Sequence, residues 1–222
     1  MIFDIITLFP EVFETYLQES LIGKAQKNKI IKINVLNIRD FASDKHKTVD
    51  DKAFGGGRGM VLKVEPIYKA IQSLKKKKEK KTKVILFTPR GKKFNQKMAT
   101  RFSKLDRLIL ISGRYEGVDE RIAKHIIDEE ISIGDYVLMG GDLPALVLIE
   151  TISRLIPNVI GKPELLKERI TKDKGFIEYP QYTRPEIFWP QKGISWRIPK
   201  ILLSGDHKKI EDWRKKHSKI IE

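Results

Sequence analysis

Strand-like apolar runs at Ile2 to Phe9, Ile30 to Phe41, Val84 to Thr88 and Leu108 to Ser112 alternate with amphipathic stretches, and that alternation most constrains the fold. The stretches lie near Glu11 to Lys27, Val64 to Lys77, Phe94 to Ser103 and Val118 to Ile127, with the apolar spacing of one-sided helices. The pattern predicts an α/β fold around a largely parallel sheet. Pro10 and Pro89 follow the first and third runs, where a fixed φ and a missing N–H suit the passage from strand to loop or helix. The run Leu143 to Ile156 has Asp142 and Pro144 at its start and apolar residues on nearly every face. It predicts a helix buried on several sides, of the kind found at subunit interfaces.

Beyond Pro157 the character changes. Lys162 to Tyr179 is polar and irregular, and the segment from Tyr182 carries prolines, all three tryptophans and the basic helix-like stretch Asp206 to Lys219. The expected organisation is a main domain over 1–160, a linker over 161–178 and a small, shortened helical domain over 179–222. Trp189, Trp196 and Trp213 read as core of that small domain more readily than as platforms for stacked bases.

Composition narrows the function. The chain has no cysteine, which excludes disulfides, thiolate metal sites and thiol nucleophiles. Its histidines, His46, His125, His207 and His217, lack HExxH-like spacing, so no metal site is expected. The N-terminus MIFDIITLFPEVF has no basic leader, and no apolar run approaches the roughly 18 residues of a membrane span. A soluble cytoplasmic protein with no membrane partner is expected. Lysine and arginine outnumber acids 44 to 29 for a net charge of +15, which favours a polyanionic partner such as nucleic acid. Lys75, Lys76, Lys77, Lys78, Lys80, Lys81 and Lys83 crowd one segment that reads as a solvated helix end or loop.

Glycine-rich segments at Gly55-Gly56-Gly57-Arg58-Gly59, Gly113-Arg114-Tyr115-Glu116-Gly117 and Gly140-Gly141 punctuate the chain. Glycines at such places serve as plain turns. In an open α/β sheet, however, ligands bind where loops leave the carboxyl ends of strands, and glycine there admits close backbone approach. Convergence of the three loops would make one pocket beside Tyr115, Glu116, Asp119 and Arg121. None matches GxxxxGK[ST], and no GxGxxG opens a helix, so nucleoside triphosphate and ordinary dinucleotide sites are disfavoured.

The segments Thr48 to Met60, Gly113 to Arg121, Ser132 to Pro144 and Tyr182 to Glu186, together with Leu202-Leu-Ser-Gly-Asp-His207, run in the order found in the bacterial tRNA (guanine-N1)-methyltransferases. The chain resembles that family, the TrmD family of the SPOUT superfamily, over nearly its whole length. The resemblance implies a deep trefoil knot at the cofactor site and a homodimer as the working unit. It also implies that S-adenosyl-L-methionine donates a methyl group to N1 of the guanosine immediately 3′ of the anticodon. Magnesium is a further candidate cofactor that no residue pattern here derives. The donor would be held by Phe87, Thr88, Pro89, Gly113, Tyr115, Gly117, Ser132, Ile133, Tyr136, Leu138, Gly140, Gly141 and Pro144, with Glu116 near its methionine end.

N1 of guanine carries a proton at neutral pH, so methylation needs a base there and a donor to stabilise charge on O6. By the resemblance the O6 donor is Arg154, whose other reading is a helix-end arginine satisfying the last carbonyls. For the base, the expected Asp-Ser-Phe is absent from the linker 167–178. Asp173 is favoured over Glu168 as the replacement. The loops 44–51 and 55–59, with His46, would face the tRNA, and Arg184 with the C-terminal cations would contact phosphates of the anticodon arm. The competing readings are a SPOUT methyltransferase with another RNA target and an RNA-binding protein without catalysis.

Overall fold

The computed structural model describes residues 1–75, 81–161 and 176–221. The chain divides into two compact units, Met1–Glu164 and Leu165–Glu222.

In the N-terminal unit, strands β1 (Ile2–Thr7), β2 (Lys32–Asn37), β5 (Thr82–Lys93), β6 (Arg107–Ile111) and β7 (Glu129–Ser132) form one sheet in the order β2-β1-β6-β5-β7. Every pairing in it is parallel, as the alternating pattern predicted. Side chains alternate across a strand, and here both faces are buried. Phe3, Ile5, Ile85, Leu108 and Leu110 enter one core. Ile6, Val84, Leu86, Ile109 and Ile111 enter a second. The first core is closed by α1 (Glu11–Gln18), α2 (Ser20–Lys27), α4 (Gln96–Phe102) and α6 (Asp142–Ser153). The second is closed by α3 (Val64–Lys75) and α5 (Glu120–His125). A short pair, β3 (Asp50–Asp51) with β4 (Val61–Leu62), brackets the first glycine-rich loop.

Three local features depart from the sequence reading. Glu11 to Lys27 is two helices, because Glu19 leaves the helical region at φ −95°, ψ 162°. Strand β5 continues through Pro89 to Lys93 instead of ending there. Proline is tolerated because the pairing register with β7 shifts between Phe87 and Lys92, so its position owes no ladder hydrogen bond. The charged residues Glu129 and Glu130 hid β7 from pattern reading. Lys83 donates to Glu129 at 2.8 Å, and Arg90 donates to Glu130 at 2.9 Å.

Two close approaches tie the carboxyl side of the sheet together. A Cβ on Gly91 would lie 2.5 Å from the Ile131 backbone nitrogen. One on Gly141 would lie 2.8 Å from the Ser112 Cα. Only glycine lets backbones meet at these separations. No helix among the described residues is long and apolar enough to cross a membrane.

The C-terminal unit differs from the expected helical domain. Its described residues hold α7 (His207–His217), a ribbon of β9 (Ile187–Gln191) with β10 (Ile194–Arg197), and β8 (Phe176–Glu178) paired with β11 (Lys219–Ile221). Phe176–Glu178, expected in the linker, is therefore strand. None of the described residues of this unit is buried. Trp189 and Trp196, read as core, are 58% and 63% exposed. A two-stranded ribbon has no second layer to bury its side chains. Trp213 alone is half-buried, stacked on His217 with ring centroids 4.3 Å apart.

Candidate functional site

The register break inside β5, between Phe87 and Lys92, and the loops leaving the carboxyl ends of β6 and β7 close around a cavity of about 380 Å³. That size suits a small organic ligand. The register break in β5 brings Thr88 and Pro89, the loop after β6 brings Gly113 to Val118, and the segment after β7 brings Ile133 and Tyr136 to Gly141. Pro144, in the first turn of α6, completes the wall.

Each wall segment is fixed by identifiable contacts. Gly141 N–H donates to the Gly113 carbonyl at 3.0 Å, and Arg114 bridges to Gly140. Ser132 Oγ donates to the Gly134 carbonyl at 2.9 Å. The Tyr136 ring lies so close to Gly134 that a Cβ there would meet Cε1 at 2.2 Å. Tyr136 is 56% exposed and so presents its other side outward. With Ile133, Leu138 and Pro144 it makes an apolar slot bordered by loop backbone.

Beneath the floor, Asp142 is buried and serves as a common acceptor. Thr7 Oγ1 donates to it at 2.7 Å, Arg114 Nε donates at 3.0 Å, and Ser112 Oγ donates as well. The Arg114 guanidinium also lies 4.7 Å from the Phe9 ring centroid. One carboxylate thus joins β1, the end of β6, the glycine loop and the start of α6. At the rim, Arg90 donates to Glu120 at 2.6 Å and to Glu130 at 2.9 Å. The hydrogen bonds to Glu120 and then Glu130 raise its pKa. Asp119 caps α5 through Arg121 N–H at 2.9 Å. Its carboxyl is held below the usual range chiefly by hydrogen bonding from the Arg121 side chain.

The structure brings together every residue that the resemblance implied for the donor: Phe87, Thr88, Pro89, Gly113, Tyr115, Glu116, Gly117, Ser132, Ile133, Tyr136, Leu138, Gly140, Gly141 and Pro144 all line this cavity. Sequence reasoning missed Arg90, Arg114 and Glu120 on the same wall. Arg114 carried a usable signal, since it sits inside the Gly113 to Gly117 segment. Arg154 is not in this group. It caps the far end of α6 and is exposed, ten residues after Pro144 and so about 15 Å along the helix axis. Asp173 and Glu168 lie outside the described residues. His46 is in an exposed loop, where its N–H donates to Asp44 at 3.1 Å.

Residues 1–220 match the family model described as tRNA (Guanine-1)-methyltransferase TrmD. A tRNA (guanine-N(1)-)-methyltransferase of Ruminiclostridium cellulolyticum is 51% identical, over 98% of this chain and 91% of its own. One from Dictyoglomus turgidum is 52% identical, over 97% of this chain and 84% of its own. Among solved structures, the tRNA (m1G37) methyltransferase from Aquifex aeolicus superposes with a TM-score of 0.78 at 38% identity, over 98% of this chain and 88% of that one.

Proposed function

The chain belongs to the tRNA (guanine-1)-methyltransferase family, and from that membership we propose how its cavity serves the reaction. The enzyme methylates N1 of a guanine in tRNA. The proposed target is the guanosine immediately 3′ of the anticodon, as in the Aquifex relative named for m1G37.

The observation that carries the reading is the convergence of the β5 register break and the loops after β6 and β7 on one cavity of suitable size. Its residues fit S-adenosyl-L-methionine. The slot of Ile133, Tyr136, Leu138 and Pro144 offers a flat apolar surface with backbone at its edge, as an adenine ring requires. The carboxylates of Glu116 and Glu120 suit the cationic methionine end. When bound, the donor supplies an electrophilic methyl on its sulfonium. Every other demand falls on the protein. Thr7, Ser112 and Arg114, gathered on Asp142, hold the loops in place before any ligand arrives, so little binding energy is lost to ordering. A knot in this region is proposed from the family membership.

Arg154 is the proposed hydrogen-bond donor to guanine O6, its guanidinium being permanently charged and forked. Since it stands at the other end of α6 from its own cavity, it would serve the cavity of a second copy. A homodimer through the exposed apolar face of α1 and α6 provides that arrangement. Val12, Tyr16, Leu143 and Val147 are 44%, 46%, 57% and 42% exposed there. The Tyr16 hydroxyl donates to Glu150 at 2.8 Å within the same face. A linker carboxylate, Asp173 before Glu168, would accept the N1 proton. The cations of α7 and Arg184 would hold phosphates of the anticodon arm, and the cytoplasm is the proposed compartment.

Incubation with tRNA transcript and S-adenosyl-L-methionine, with and without magnesium, followed by mapping of the methylated nucleotide, tests this. Methyl at N1 of the guanosine 3′ of the anticodon is expected. Methyl elsewhere would reassign the target, and none in either condition would defeat the reading.

A further inference from the structure

The loop between β3 and β4 projects from the N-terminal unit. All residues from Lys52 to Gly59 are exposed. Gly55, Gly56, Gly57 and Gly59 adopt φ of +89°, +83°, +114° and +98°, in the left-handed region that other residues enter only at a cost. A Cβ on Gly55, Gly56 or Gly57 would meet nothing within 4 Å, so the turn is not folded back onto the unit. Just before it stands Phe54, 102% exposed. A single exposed apolar side chain is ordinary; the setting of this one is not.

The base of the loop is fastened to the cavity wall. Glu116 N–H donates to the Met60 carbonyl at 3.0 Å, and Leu62 N–H donates to the Gly117 carbonyl at 3.0 Å. Gly59 packs so tightly on the Glu116 side chain that a Cβ would lie 2.6 Å from Oε1, and Glu116 lines the cavity. Lys52 and Arg58 flank the ring in sequence and are exposed with it. An exposed loop that carries an aromatic ring, two cations and four glycines is therefore rooted at the cavity wall.

The atom to be methylated lies on the Watson–Crick edge of guanine. An enzyme reaches such an atom by turning the base out of its stack. That movement leaves a neighbouring base with one uncovered face, which an inserted apolar side chain can cover. The geometry points to Phe54 as the residue that stacks on a base flanking the displaced guanine, with Lys52 and Arg58 directed to the adjoining phosphates. The inference rests on the reading of the cavity as the site of methyl transfer to tRNA. It adds an RNA-contacting residue to the reaction and leaves the donor site unchanged.

Steady-state methylation of tRNA by Phe54→Trp, Phe54→Leu and Phe54→Ala tests the claim, with calorimetric titration of S-adenosyl-L-methionine and thermal melting alongside. The side chain touches nothing that stabilises the fold, so melting and donor affinity should match the parent in all three. Leucine and alanine should lower kcat/KM for tRNA by roughly tenfold to a hundredfold, while tryptophan stays within about twofold, because stacking needs a flat π face. Leucine at parental kcat/KM in an active enzyme would overturn the stacking role and leave the reading of the cavity standing. A substitution that changes oligomeric state instead would assign Phe54 to a protein contact. A parent enzyme that transfers no methyl to tRNA guanine would remove the premise itself.

Discussion

The carboxyl and amino sides of the central sheet each bury a carboxylate, and the segments each one joins are different. On the carboxyl side Asp142 gathers Thr7, Ser112 and Arg114, so it links the segments that shape the cavity. Toward the amino side Asp4 is fully buried, accepts from Asn34 Nδ2 at 2.6 Å and faces Arg107 Nε at 3.3 Å. Arg107 in turn donates to the Leu74 carbonyl at 2.8 Å. That second network ties β1, β2, β6 and the end of α3, none of which contributes Asp4, Asn34 or Arg107 to the cavity. Both carboxylates bear a comparable desolvation cost, yet only one organises a ligand site. A buried charge is a mark of function only through what it joins.

Truncation separates the two carboxylates most strongly. Asp4→Ala and Asp142→Ala each strand a buried or half-buried arginine, and each should cost about 3–5 kcal/mol in urea unfolding. The two should part in calorimetry of the folded fraction. Asp142→Ala should weaken S-adenosyl-L-methionine binding, and Asp4→Ala should leave it at the parental value. Equal weakening by both would erase the distinction between the two sides.

Arg154 sharpens the comparison, because it is assigned a role in chemistry although it lies away from its own cavity. Arg154→Ala should cut turnover by about 10²–10³ with donor binding intact, and Arg154→Lys should recover only part of the loss. Mixed dimers of Arg154→Ala and Ile133→Glu chains decide whether the arginine acts across subunits. Rescued activity is expected, since one composite site would then be whole. Mixed dimers as inactive as the two parents would place Arg154 in its own chain's chemistry or in none.

The smallest effect concerns Glu129 in β7. Burial pushes its carboxyl up, but hydrogen bonds from Lys83 and Arg101 outweigh burial and hold it below its ordinary value. A carboxylate lowered in the native state stabilises fully above its unfolded pKa and loses that contribution as pH falls through the native value. Glu129→Gln should therefore destabilise by up to about 1 kcal/mol near neutrality. The loss should vanish in acid, as read from urea midpoints across pH.

Much of the fold was legible because the continuous apolar runs of β1, β5 and β6, buried on both faces, and the one-sided spacing of α3 and α5 are strong local signals. Strand β7 was not, since its charged start is satisfied by Lys83, Arg90 and Arg101 from distant positions. The break at Glu19 depends on a backbone turn that apolar spacing does not encode. The continuation of β5 past Pro89 depends on a register shift that only the partner strand reveals. At the site, the family resemblance and two of the three glycine segments indicated wall residues: Gly113 to Gly117 and Gly140-Gly141 line the cavity, whereas Gly55 to Gly59, expected to converge with them, does not. Which segments meet is a tertiary fact, and so is the gathering of Arg114 on Asp142. The tryptophans misled because a large apolar ring reads as core, whereas Trp189 and Trp196 stand exposed on a two-stranded ribbon.

The register break in β5 and the loops after β6 and β7 form the proposed methyl-donor site. The most direct test of that assignment is calorimetric titration of S-adenosyl-L-methionine into the parent and into Ile133→Glu, which places a carboxylate in the apolar slot, with melting measured on both. One donor bound per chain is expected in the parent, with no detectable binding in Ile133→Glu at an unchanged melting temperature. Parental binding by Ile133→Glu would contradict the assignment.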